Sequence, residues 1–527
     1  MKAATFINSN KDEKLLVILI LLSLIFSPNC SGNRIERISG TSEIIHRYKP
    51  SENVEYMKLH TKEGDVYVLQ KWNFEKDTNL INGTGYKLDF NRQFTESGDF
   101  AIAIDEVVIA ETNVISGSSG KSTLALVSVI TGVFTLVCLA NPKACFGSCP
   151  TFYAYDGNEY KIQAEGFSAS ISPTLEETDT DALYHAKPLS RNFELKLKNE
   201  AYETHVIRKA NVLALPRREG TRVFSAEDNK FYEVNNLTEP IQAIGDEGDC
   251  SEKICSFDGT ERFSPADSNN LAEKEIIELT FSNDFPGKKG LVIASRQTLL
   301  TTFLFYQSLA YMGTNAGSFL ANLERNPDVT KNLIDQPRKL LGSIEAFREK
   351  EDGTFEKVGE VGEHGPISTD IKIVPLGNIP QNKEIKIKLR MTKGLWRIDY
   401  AATADILNEV EPIIISPQSS FPINTVSGSK VTDLLTCHDS VLVTFPGDAF
   451  YLNYVLPEDF QNCELFLESG GYYLEWMRDE WLVEENPGKV YQMFLNPNQY
   501  FKDLAPQFKQ IEAEMEETFW SSKYVNP

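Results

Sequence analysis

Apolar and polar positions alternate along much of this chain, a period of two that predicts strands with one wet face. In the early part Asp65-Val66-Tyr67-Val68-Leu69, Gly85-Tyr86-Lys87-Leu88-Asp89-Phe90 and Phe100-Ala101-Ile102-Ala103-Ile104 read as strands, and Asn82-Gly83 marks a turn. The pattern continues through Phe193-Glu194-Leu195-Lys196-Leu197, 206–215, Ile276-Ile277-Glu278-Leu279-Thr280-Phe281 and 384–390. Two stretches carry helical spacing instead. Leu299, Phe303, Tyr306, Leu309 and Met312 predict a core helix within 296–324, with Gly313 and Gly317 placed to bend or interrupt it. Leu504, Phe508, Ile511, Met515 and Phe519 share one side of an amphipathic helix, which puts most of Glu512, Glu514, Glu516 and Glu517 in water.

Two runs are continuously apolar. Residues 15–26, LLVILILLSLIF, follow Lys2, Lys11 and Lys14 and precede a polar stretch ending at Cys30. A basic start, a short apolar run and a polar end predict a secretory signal; about 12 residues is short for a span, which needs roughly 20. Cys30 stands where a bacterial lipoprotein signal places its lipidated cysteine, although Asn29 and Ser27 depart from the usual neighbours. The second run, 123–141, contains no charged residue and is flanked by Lys121 and Lys143. It is long enough for a membrane segment, and a helix buried within the fold is the other reading. Just before it, Gly117-Ser118-Ser119-Gly120-Lys121-Ser122-Thr123 imitates a phosphate-binding loop. Ile115 occupies the position of its first glycine, and the helix that follows has no polar face.

These patterns divide the chain into a signal at 1–29, a tether at 30–53, a small β domain at 54–113 and the apolar helix at 123–141. A β-sandwich-like domain at 145–290, a helix plus β domain at 291–420 and a C-terminal α+β region at 421–527 follow. The fold class is mainly β with a few helices (α+β), built of β-sandwich-like domains plus the one apolar helix.

Charge and cysteine usage narrow the partners. With 52 basic and 75 acidic residues the net charge is −23, which disfavours nucleic acid, since phosphates need a basic face. The cysteines suggest disulfides more than a zinc site, because no second Cys/His pair stands at finger spacing from Cys145 and Cys149. The candidates are Cys145, Cys149, Cys250, Cys255, Cys437 and Cys463, with Cys250–Cys255 and Cys437–Cys463 as natural local pairs; the second pair closes a loop of about 25 residues, worth roughly 3 kcal/mol in the chain-entropy model.

Residues 149–164 gather cysteine, aromatics and acid. Asp156-Gly157 between Tyr153 and Tyr160 predicts a hairpin, with strands at 151–155 and 159–164. The pattern Cys149-Pro150-x-x-Tyr153-x-x-Asp156-Gly157 resembles the opening of a β-rich domain of uncharacterised bacterial envelope lipoproteins. The likeness covers about 149–235. It implies a β-sandwich and an envelope setting, and supplies no catalytic residue.

The leading functional expectation is therefore a non-catalytic, membrane-anchored envelope lipoprotein, a binding or assembly module held by lipid at Cys30, by helix 123–141 or by both. Its setting is the bacterial cell envelope, at the outer membrane or the periplasmic face, with other envelope proteins or glycans as partners. The alternative is a secreted carbohydrate-active hydrolase or carbohydrate-binding protein. Trp396, Tyr400 and Trp476 are the aromatic faces on which a sugar could stack, with a core role as the competing reading. No cofactor is expected except Ca²⁺, for which Glu176, Asp179 and Asp181 offer hard oxygen ligands. No G-x-S-x-G elbow occurs, so nucleophilic catalysis is disfavoured.

Overall fold

The computed structural model describes residues 34–40, 57–61, 65–88, 94–116, 149–200, 203–313, 316, 319, 339–362, 364–381, 384–422, 435–436, 441–444, 448–475 and 484–522. The chain is mainly β with a few helices, as the alternation predicts. The signal, Cys30, the apolar run 123–141, Cys145, Cys437 and Trp476 lie outside the described residues. Within them, no helix is long and apolar enough to cross a membrane.

The first sheet has six antiparallel strands within 34–116. Strand Arg34–Gly40 pairs along its whole length with Val107–Ser116, so the segment expected as a tether contributes a strand. Met57, Leu59, Leu69, Trp72, Ile81 and Ile102 bury one face. A bulge between Leu69 and Lys71 brings strand Val66–Glu75 onto Leu80–Leu88 at very short range. A Cβ on Gly85 would lie 2.0 Å from the Val68 carbonyl oxygen, which is why this strand carries glycine there.

Next come two sheets that share one core. Strands Ser419–Pro422, Ala449–Val455, Asn192–Lys198, Thr151–Tyr155 and Tyr160–Glu165 form one. Ile413–Ile415, Glu203–Pro216, Cys463–Glu475 and Glu177–Ala182 form the other. Phe152, Leu195 and Leu452 from the first meet Val212 and Leu467 from the second. The Asp156-Gly157 hairpin forms as predicted: Gly157 has φ +106°, and Asp156 Oδ1 accepts from the N–H groups of Asn158 (2.8 Å) and Glu159 (3.0 Å). Pairing of 192–198 with 449–455, and of 203–216 with 463–475, crosses the expected boundaries at 290 and 420. The outer parts of the sequence thus build one unit around an inserted middle.

That middle holds a ring of five strands, Arg222–Ser225, Phe231–Thr238, Trp396–Val410, Gly287–Gln297 and Asp370–Ile379, which closes through one parallel contact between Ser225 and Lys372. A second six-stranded sheet, with Lys274–Phe281 and Ile385–Thr392 at its centre, shares a core with three helices. Helix α1 (Leu300–Met312) is the predicted core helix. It ends at Gly313, with φ +52°, where a Cβ would also meet Glu485 at 2.5 Å. Helices α2 (Pro487–Leu495) and α3 (Pro497–Ser522) cover it. On α3, Leu504, Phe508 and Met515 are buried as expected. Glu512 is buried too, because its carboxylate accepts from the Ala266 N–H (2.7 Å) and pairs with Lys509 (2.5 Å).

The proposed stacking pair Trp396 and Tyr400 is corrected here. A bulge at Asp399 sets Ile398 opposite Ser295 and Tyr400 opposite Ala294. The extra residue reverses the faces, so the two rings enter different cores. Trp396 is 1% exposed and packs against His364 (5.5 Å between ring centres); an indole so enclosed has no face for a sugar.

Candidate functional site

A cleft of about 1450 Å³ runs between the two-sheet unit and the inserted middle. Ten carboxylate side chains and four basic ones line it, with apolar residues of α1 and of the α2–α3 corner along its floor. One wall is the edge strand Glu177–Ala182. Among the described residues only one side of this strand is paired, Asp179 opposite Ser469 and Asp181 opposite Leu467. Glu177, Asp179 and Asp181 alternate with threonines, so the period of the strand puts the three acids on one side.

Across from them stands strand Asp370–Ile379. Lys372 Nζ lies 2.9 Å from Asp370 Oδ2 and donates to the Thr180 carbonyl (2.7 Å) and to Ser225 Oγ (3.3 Å). Asp370 Oδ1 accepts from the Ala182 N–H (3.2 Å). One ammonium thus ties the edge strand to the ring of strands. Burial pulls the Lys372 pKa down, but Asp370 beside it, with Asp181, pushes it up further, so it stays charged. Burial raises the Asp179 carboxyl to about 6, with Glu177 and Asp370 adding to the rise and Lys372 opposing it. Asp181 is 7% exposed and is raised well above the carboxylate range, by burial first and then by Asp370 and Asp179. Its Oδ2 has no hydrogen-bond partner among the described residues. With one lysine among three neighbouring carboxyls, the fully ionised cluster would carry an excess of negative charge, and a proton retained on Asp181 reduces that excess.

Of the three candidate Ca²⁺ ligands, Asp179 and Asp181 line this cleft and Glu176 does not. Glu176 turns away and pairs with Arg208. The position a cation would take beside Asp370 and the Thr180 carbonyl is filled by the ammonium of Lys372. No group of three or more His, Cys, Asp or Glu side chains suited to a metal occurs among the described residues. In the sequence the one signal of Asp370 and Lys372 is a pair of opposite charges two apart at the start of a largely apolar strand.

Deeper in the cleft, Glu165 Oε2 accepts from the Ile367 N–H (2.8 Å). His364 Nε2 donates to the Ser295 carbonyl (2.7 Å). Cys149 lies at the bottom, buried, its thiol pushed up by burial and then by Glu165 and Glu203. A thiol held protonated is a packing group, not a nucleophile.

The remaining cysteines within the described residues carry free thiols. The expected Cys250–Cys255 bridge is absent because the one-turn helix Ser251–Lys253 separates their directions. Cys250 Sγ enters the core towards the Ala243 carbonyl (3.5 Å), whereas Cys255 Sγ meets the Glu252 carbonyl outside it (3.6 Å). Cys463 Sγ points to the Asp459 carbonyl (3.5 Å).

No known protein family matches this chain, and no curated protein matches it either.

Proposed function

We propose that this chain is a non-catalytic envelope lipoprotein, anchored through Cys30, through 123–141 or through both, whose sandwich-like β body receives a partner in the large acidic cleft. The observation that carries this reading is the size and sign of the cleft. At about 1450 Å³ it exceeds the roughly 300–1,000 Å³ of small-molecule pockets, and its lining is strongly acidic. Such a groove suits an extended, basic segment of another envelope protein. The likeness of 149–235 to uncharacterised envelope lipoproteins and the apolar run before Cys30 support the same setting.

The test has two arms. Palmitate labelling of intact cells is expected to be lost in Cys30→Ala; label that survives the substitution overturns the lipid anchor. Crosslinking from Glu177 and Glu227, both on the cleft wall, is expected to capture a lysine- or arginine-rich segment of an envelope protein. Capture confined to acidic partners would overturn the assignment of the cleft.

A second reading, a carbohydrate-active hydrolase, draws on one observation. Asp179, raised to about 6, stands by Asp181 and Asp370 in the same cleft, and carboxyls held in different protonation states are what glycoside hydrolysis uses. Hydrolysis of a glycan panel that disappears in Asp179→Asn would favour it over the binding module.

A further inference from the structure

Lys372 ties the edge strand to the ring of strands but leaves one acid beside it without a donor. An ammonium has three N–H groups. Those of Lys372 go to Asp370 Oδ2 (2.9 Å), the Thr180 carbonyl (2.7 Å) and Ser225 Oγ (3.3 Å). Asp370 is served by Lys372 and by the Ala182 N–H. None of these bonds goes to Asp181. Its side chain lines the large cleft and is 7% exposed, and its Oδ2 meets no donor among the described residues.

The charged groups that act most on Asp181 are Asp370, Asp179, Lys372 and Glu165, in that order. Glu165 already accepts from the Ile367 N–H. Asp179 is acted on by Lys372, Glu177 and Asp370, and its carboxyl accepts from the Ser168 N–H. Glu227 adds to the field on Lys372. From the paired strand, Leu467 and Ser469 stand opposite Asp181 and Asp179 and bring no charge.

A buried acid in such company sheds its excess charge in one of two ways. It holds a proton, or it takes a cation from outside. The cleft is the route by which a cation can arrive. Asp181 presents one unmet oxygen in a nearly closed place, which suits a compact charge on a slender stem. That describes a lysine side chain; a guanidinium is a flat fork that needs two oxygens side by side.

We propose that Asp181, with Asp179 beside it, is the binding point for the ammonium of a lysine side chain entering the large cleft, and that the ammonium exchanges there for a proton. The inference rests on the cleft's being the seat of a basic segment, and adds which residue type is read and how it is released. The ammonium favours the ionised carboxyls. Binding therefore strengthens as pH rises through about 6 for Asp179 and through the raised value of Asp181, and is lost in acid.

Titration calorimetry of the full chain in detergent tests this, with N-acetyl-lysine amide as probe. N-acetyl-norleucine amide is the same side chain without its ammonium. At pH 7.5 the lysine probe is expected to bind saturably and to release protons, read as heat that differs between phosphate and Tris, and norleucine is expected not to bind. At pH 5 the affinity should fall about tenfold or more. Asp181→Asn keeps the shape but cannot ionise, and should weaken the probe about tenfold and remove most of the proton release. Asp179→Asn should weaken it about threefold and narrow its pH dependence. The proposal is overturned if the probe gives no saturable heat up to about 10 mM, if norleucine binds as well, or if affinity is equal at the two pH values. It is equally overturned if folded Asp181→Asn binds and releases protons as before. Should that variant fail to fold, as its melting curve will show, unchanged affinity and pH dependence in Asp179→Asn overturns it. Crosslinks to a basic partner with no heat from the probe would remove this site and keep the basic-segment reading. Proton-linked binding of the probe with crosslinks to acidic partners alone would do the reverse.

Discussion

Replacing Lys372 by Met is the sharpest perturbation the structure offers. The ammonium makes a 2.9 Å ion pair with Asp370 and donates to the Thr180 carbonyl at 2.7 Å; its contact with Ser225 at 3.3 Å is long and contributes little. Removing it leaves a buried carboxylate without a counter-ion and a carbonyl without its donor. Breaking one side of a buried pair costs about 3–5 kcal/mol, against at most about 1 kcal/mol for an exposed pair. The loss should therefore approach the larger figure at pH 7.5, read from urea unfolding. It should shrink at pH 4.5, below the value of about 6 for Asp179, because that carboxyl is then protonated and its attraction to Lys372 is gone in either protein. The double variant Lys372→Met/Asp370→Leu should recover most of the loss, because an apolar pair needs no counter-ion. A loss below about 1 kcal/mol at pH 7.5 would show the pair to behave as a surface one. A loss equal at both pH values would show that packing, not charge, holds the two strands together.

Two further outcomes follow from the same physics. Asp179 and Asp181 hold protons in the fold that the unfolded chain releases. The stability they contribute is complete below pH about 4, the unfolded value, and is lost as pH rises through about 6 for Asp179 and through the raised value of Asp181. Asp179→Asn should flatten the decline between pH 4 and 7 in thermal melts; an unchanged slope would place the titration elsewhere. Gly85→Ala should destabilise the first sheet by more than the about 1 kcal/mol of an ordinary strand substitution, because its Cβ would lie 2.0 Å from the Val68 carbonyl oxygen. Hydrogen exchange of the amides in strand Val66–Glu75 is the readout, and unchanged protection there would mean that the bulge absorbs the methyl group.

The sequence alone determined what depends on near neighbours. Alternation marked the strands, because burying one face of a pleated chain needs apolar residues at every second position. Asp156-Gly157 specified its hairpin, because the turn needs a positive φ and an acceptor two residues back. Helical spacing placed α1 in the core. Tertiary structure decided what depends on residues far apart or on a single inserted residue. Strand 192–198 found its partner at 449–455 because a sheet edge takes the strand that completes a shared core, however distant in sequence. One bulge at Asp399 turned Trp396 and Tyr400 to opposite faces, a reversal that no pattern of residue types records. The acids at Asp179 and Asp181 were visible from the start. Their meaning changed only when the fold brought Lys372 into the place of a cation, about 190 residues away, because a buried charge is defined by whatever counter-charge lies within a few ångströms of it.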